Sequence, residues 1–116
     1  MSDQRFPKSL RIKSSEAFGR IIQTGAYATD DTLVVNVLPN DLPYSRLGIT
    51  IPKRTGNAVL RNRWKRLIRE AFRTQKDQFP SGFDFVVRPR RGAVADFKSI
   101  QSAIVKLAQR AAKRCS

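Results

Sequence analysis

The sequence predicts an α+β fold, a two-layer α-β sandwich with its elements in the order α-β-β-α-β-α. Three observations predict it. Apolar residues recur at helical spacing in three separate segments, Val/Leu/Ile-rich runs of strand length fall between them, and Pro, Gly, Asn and Asp mark the boundaries.

The first helix follows Ser14 or Ser15, either of which caps it, carries Phe18, Ile21 and Ile22, and stops at Gly25. Thr32 to Leu38 is rich in Val and Leu and reads as a strand, closed by the Pro39-Asn40-Asp41-Leu42-Pro43 loop. Arg46 to Ile51 alternates Leu47, Ile49 and Ile51 and ends at Pro52, giving a second strand. A long basic helix comes next. Pro80-Ser81-Gly82 then breaks the chain before a third strand, Phe83 to Arg88. Asp96 caps a last helix, in which Phe97, Ile100, Ile104, Leu107, Ala108 and Ala111 share a face. Three strands under these helices leave at least one sheet face partly open. Residues 1–13, basic and broken by Pro7, are expected to form an extended arm on a single domain spanning residues 1–116.

The basic helix carries most of the functional information. From Lys53 to Arg73 the chain has eight Lys/Arg and one acid, Glu70. At about 100° per residue, Leu60, Trp64, Leu67, Ile68, Ala71 and Phe72 form an apolar arc. Trp64 is therefore read as core. Arg61, Asn62, Lys65, Arg66, Arg69 and Arg73 occupy an adjoining arc, with Arg63 and Glu70 towards the far side. One face joins a core while its neighbour presents cations in rows, which suits a polyanion.

The whole composition agrees. The chain has 116 residues, 41% of them hydrophobic, enough to bury a real core; 23 Lys/Arg against 9 Asp/Glu give +14. Such a charge repels itself in the compact state, and a polyanionic partner, foremost a nucleic acid, accounts for it. Histidine is absent, which removes the usual general base near neutral pH and the commonest metal ligand. Cys115 is the single cysteine, so no disulfide or cysteine-rich zinc site is expected. Only Asp30 and Asp31 are adjacent among the acids, and a solvated turn explains them better than a metal site. Gly48, Gly56 and Gly82 form no phosphate-binding loop. No apolar run approaches the roughly 20 residues of a membrane span, and the N-terminus lacks a signal-peptide core. A cytoplasmic protein with no catalytic or metal-binding residues of its own is expected.

The run Gly56-Asn57-Ala58-Val59-Leu60-Arg61-Asn62-Arg63-Trp64-Lys65-Arg66-Leu67-Ile68-Arg69-Glu70-Ala71-Phe72-Arg73 closely resembles the signature of the bacterial ribonuclease P protein subunit. The likeness extends through Leu47 to Arg54, the Leu10 to Phe18 segment, Gly25 and the Asp84 to Arg88 strand, nearly the full length.

The resemblance implies a fold with a left-handed β-α-β crossover around the basic helix, against the usual hand. It also implies partnership with ribonuclease P RNA and with precursor tRNA, whose 5′ leader is removed by hydrolysis. The RNA and its Mg2+ ions would supply the active site, with no cofactor bound by the protein and no obligate protein partner. Lys53, Arg54, Arg61, Asn62, Arg63, Lys65, Arg66, Arg69 and Arg73 would contact the catalytic RNA. Arginine suits that work because its planar fork grips phosphate and stacks on bases.

Phe18, Ile22 and Asn36 would line the leader cleft. Ile22 and Asn36 stand where some relatives carry aromatics, so the resemblance implies less stacking here and more reliance on shape and charge. For Phe18 a core role is the competing reading, and for Asn62 a local bond within the helix. Three other classes stand beside this one: a structural RNA-binding protein of ribosomal type, a DNA-binding module, and a basic amphipathic helix on a membrane surface.

Overall fold

The computed structural model describes residues 11–12 and 15–115. The elements are α1 (Ser15–Thr24), β1 (Ala26–Thr29), β2 (Leu33–Pro39), β3 (Arg46–Ile49), α2 (Ala58–Arg73), β4 (Phe83–Pro89) and α3 (Phe97–Arg114). Short 3-10 turns, Lys53–Thr55 and Lys76–Gln78, flank α2. Apart from Arg11 and Ile12, the arm expected over residues 1–13 lies outside the described residues, as does Ser14. Arg11 bridges Leu47 in parallel, and the Ile12 amide donates to the Leu47 carbonyl at 2.9 Å.

The strands form one sheet in the order β1-β2-β4-β3. β1 runs antiparallel to β2 and β2 to β4, whereas β3 and β4 are parallel neighbours, so α2 is the crossover between them. The α-β-β-α-β-α order is present with one edge strand, β1, ahead of its first strand. Ala26-Tyr27-Ala28-Thr29 is short and built mostly from small residues, which hides its alternation; only Ala28 is fully buried. The turn into β2 depends on Asp30, whose carboxylate accepts from the Thr32 and Leu33 amides at 2.8 and 3.0 Å. Asp30 is thus a turn-former. Burial pushes its carboxyl up, but the Leu33 and Thr32 amides and Lys106 together hold it below its ordinary 3.8.

Alternation along the strands separates two cores. Leu33, Val35 and Val37 of β2, Leu47 of β3, and Phe85 and Val87 of β4 face α2 and α3. Trp64, Ile68, Ala71 and Phe72 meet them from α2, and Ile100, Ile104, Leu107, Ala108 and Ala111 from α3. Trp64 is 1% exposed, the core position its helical phase predicts. Phe72, Phe79 and Phe85 stack edge to face with centroids 4.7 and 5.6 Å apart, a favourable geometry for aromatic quadrupoles. On the opposite face Val86 packs with Ile12 and Ile21, joined by Phe18, Ile22 and Leu38. There α1 covers part of the sheet and leaves the rest open.

Candidate nucleic-acid interface

Caps fix where the basic helix begins. Asn57 accepts the Leu60 amide at 2.9 Å, satisfying one of the orphan donors at the start of α2. The helix then buries Trp64, Ile68, Ala71 and Phe72, and that choice of face decides where every cation points. Asn62, Arg63, Arg66 and Arg69 are exposed; Arg61, Lys65 and Arg73 are half-buried. Lys53 and Arg54 are exposed on the turn before the helix.

These residues do not form one uniform face. Lys65 and Arg69 lean towards α1 and line a cavity of about 200 Å³ with Arg11, Ile12, Phe18, Leu47, Gly48 and Ile49. Arg54 lines a second cavity, of about 260 Å³, with Arg90 and Arg91 of the loop after β4. Arg63 lies on the other flank, close enough to Asp96 at the start of α3 to lower its carboxyl slightly, behind the larger effects of the Ser99 amide and hydroxyl. Arg61 donates from Nε to the Gly56 carbonyl at 3.2 Å, and Arg73 pairs with Glu70 one turn back.

The three leader-cleft candidates separate. The Phe18 ring lies over Gly48, where an added Cβ would stand 2.4 Å from its Cε1 and 2.7 Å from its Cζ. A glycine lets Cε1 and Cζ of the ring approach the backbone, and Phe18 also borders the cavity. Ile22 packs into the small core under α1 and does not line that cavity. Asn36 is on the α1 side of β2, opposite Tyr27 and Val86, and is 4% exposed. Among the described residues its Oδ1 has no hydrogen-bond partner, nor has Nε of Arg88 on β4.

Where β3 and β4 begin, Arg46 grips Asp84 bidentately, Nε to Oδ1 at 2.9 Å and Nη2 to Oδ2 at 2.7 Å. Asn40 adds a bond to Oδ1 at 2.8 Å and ties the β2–β3 loop to β4. The Asp84 hydrogen bond raises the Arg46 pKa, which keeps this cation charged at any working pH.

Four of the nine carboxylates are committed to structure. Asp84 serves Arg46, Asp30 the hairpin turn, Asp96 the α3 cap through Ser99, and Glu70 serves Arg73. Among the described residues, no three His, Cys, Asp or Glu side chains are grouped as metal ligands, and no helix is long and apolar enough to cross a membrane.

The sequence pointed to the α2 cations and Phe18 as candidates; the cavities they line also include Arg11, Gly48, Arg90 and Arg91, which it did not single out. The Arg88-Pro89-Arg90-Arg91 run was the available signal for the last two. Gly48 had none, because its importance lies in a contact across 30 residues.

An α+β domain whose crossover helix presents cations beside an aromatic-floored cleft defines a class of polyanion-binding proteins. The family model for Ribonuclease P matches residues 6–112. The ribonuclease P protein component of Petrotoga mobilis is 37% identical over 106 residues, covering 91% of this chain and 90% of that protein. The structure is similar to the ribonuclease P protein of Staphylococcus aureus, with TM-score 0.78, 34% identity and coverage of 90% and 96%. The Thermotoga maritima protein gives 0.79 and 34%, with coverage of 86% and 96%. The chain belongs to the ribonuclease P protein family, as a subunit of that endoribonuclease.

Proposed function

We propose that α2 docks this chain on ribonuclease P RNA while the Phe18 cavity receives the 5′ leader of precursor tRNA in the cytoplasm. One observation carries the reading: Phe18, Lys65 and Arg69 line the same cavity. An aromatic edge and two cations suit a single strand, since a base stacks on the ring while its phosphates meet the ammonium and guanidinium groups. Arg66, Arg69, Asn62 and Arg61 continue outward as the docking face, with Lys53 and Arg54 beside Arg90 and Arg91 at its edge. Arg63 reaches RNA from the α3 flank, and Arg73 adds its charge while holding Glu70.

Ile22 and Asn36 shape the cleft from beneath. Neither lines it, so Phe18 supplies the stacking surface.

Asp30, Glu70, Asp84 and Asp96 are engaged in ion pairs, a turn and a cap, so they serve the fold. Mg2+ bound mainly by the RNA supplies the hydrolytic chemistry. The protein's residues bind and orient: they neutralise phosphates that would otherwise repel one another, an effect that matters most where salt competes.

Reconstitution tests this. Adding the purified chain to bacterial ribonuclease P RNA at low magnesium is expected to raise cleavage of precursor tRNA. Failure with several such RNAs would sink the proposal and leave a structural RNA-binding protein.

A further inference from the structure

A further groove lies away from this interface. It has a volume of about 480 Å³ and is bordered by Lys106, Gln109, Arg110 and Lys113 of α3 and by Gln75 and Gln78 beyond the end of α2. It shares no lining residue with either basic cavity around α2. From Phe97 to Arg114 the helix carries five cations and no acid. Lys106, Arg110 and Lys113 fall within about 60° of one another at 100° per residue, one turn apart. Like charges so placed destabilise an isolated helix. Asp30 lies 3.4 Å from Lys106 and relieves it in part. Arg110 and Lys113 are exposed, and among the described residues no ion pair involving them is seen.

The glutamines give the groove a chemical identity. Gln75 Nε2 donates to the Ala71 and Gln101 carbonyls at 2.9 and 3.0 Å, and Gln109 Nε2 to the Gln78 carbonyl at 2.9 Å. These bonds assign the amide ends and leave each Oε1 as an acceptor. Cations for phosphates beside acceptors for hydroxyl donors are the set that an RNA helix satisfies, because its wide, shallow minor groove displays 2′-hydroxyls between two phosphate rows. An anionic bilayer would need an apolar face, and Val105 is the only apolar side chain lining the groove.

We propose that this α3 groove is a second RNA-binding surface, which receives an A-form duplex through Lys106, Arg110 and Lys113 at phosphates and the glutamine oxygens at 2′-hydroxyls. It is separate from the α2 docking face, so one chain bridges two RNA segments. The proposal does not depend on what the α2 face or the Phe18 cavity binds.

The test uses the full chain with Arg61, Lys65 and Arg66 changed to Gln, which silences the α2 face. Binding to an RNA duplex of about 16 base pairs, the span read by dedicated duplex-RNA modules, is followed by fluorescence anisotropy against salt. Adding Arg110→Gln and Lys113→Gln is expected to make the log–log salt slope shallower by about 2, at about 0.9 per phosphate lost. Lys76→Gln with Lys98→Gln removes the same charge outside the groove and is expected to leave the slope in place. The exchange Arg110→Lys with Lys113→Arg keeps the charges and is expected to retain it too. A DNA duplex of equal length is expected to bind several-fold more weakly. Equal slopes for the two charge-removing pairs would overturn the proposal in favour of net charge alone. An unchanged slope for Arg110→Gln/Lys113→Gln would overturn it outright, and equal affinity for DNA would overturn the 2′-hydroxyl contacts. Thermal unfolding of each variant shows that the fold survives, and the charge-retaining exchange decides the matter if one melts early.

Discussion

Gly48→Ala tests whether Phe18 is a binding surface or merely core. The new Cβ would stand 2.4 Å from Cε1 and 2.7 Å from Cζ of the ring, and 3.3 Å from the Ile12 Cβ. Carbon atoms rest about 3.5–4.0 Å apart, so something moves by about 1 Å. The Gly48 backbone is paired to Val86 of β4, and Ile12 is held by its bond to Leu47, so the ring at the end of a side chain is what yields. It moves towards the cavity that it borders. Overpacking costs about 1–3 kcal/mol, and the low end applies because the ring has open space ahead.

Function is expected to suffer more than stability. Stacking one base on an aromatic ring contributes about 1–3 kcal/mol, which is about 5- to 150-fold in affinity. The assay is the dissociation constant of reconstituted holoenzyme for precursor and for mature tRNA, which lacks the leader. Gly48→Ala is expected to weaken the precursor alone by a factor in that range, and Phe18→Leu, which keeps the volume and removes the π-face, to do the same. Parallel losses for both tRNAs, or a fall in unfolding temperature with an unchanged affinity ratio, would refute the reasoning and return Phe18 to the core.

Three further outcomes are expected. Changing Arg61, Lys65 and Arg66 together to Gln should flatten the log–log salt dependence of binding to ribonuclease P RNA by about 2–3, and an unchanged slope would show that α2 is not the docking face. Arg46→Ala leaves Asp84 buried without its partner and should cost about 3 kcal/mol in urea unfolding, at the low end for a broken buried pair because the Arg46 side chain is 33% exposed. Asp30→Asn should remove part of the acid sensitivity. The folded carboxyl lies below its ordinary 3.8, so its stabilisation is complete above that pH and fades as pH falls through the lower folded value. Wild-type and variant stability curves that stay parallel from pH 5 to about pH 2 would contradict this.

Much of this molecule is written locally, and the exceptions share a physical cause. The phase of Leu60, Trp64, Ile68 and Phe72 predicts which side of α2 is buried, because helical period and apolarity are properties of one segment. The edge strand β1 escaped that reasoning. Its four residues carry too little alternation to signal a strand, and its extended form depends on pairing Tyr27 with Asn36 and on a turn closed by Asp30. Asn36 shows a similar limit: its position on β2 is legible, but its near-complete burial follows from its neighbours on β1 and β4.

By itself the sequence determined the fold class, the basic face, the absence of histidine chemistry and, through its motif, the family. The tertiary structure alone decided how the cations are divided. Lys65 and Arg69 turn towards Phe18, Arg54 joins Arg90 and Arg91, and Arg63 approaches Asp96, although all four α2 or pre-α2 positions belong to one continuous run. Helical phase assigns a direction to each side chain, but which element waits in that direction depends on where the parallel β3–α2–β4 crossover lays the helix. That placement is set by contacts between residues far apart in the chain, such as Phe18 on Gly48, and no local pattern encodes it.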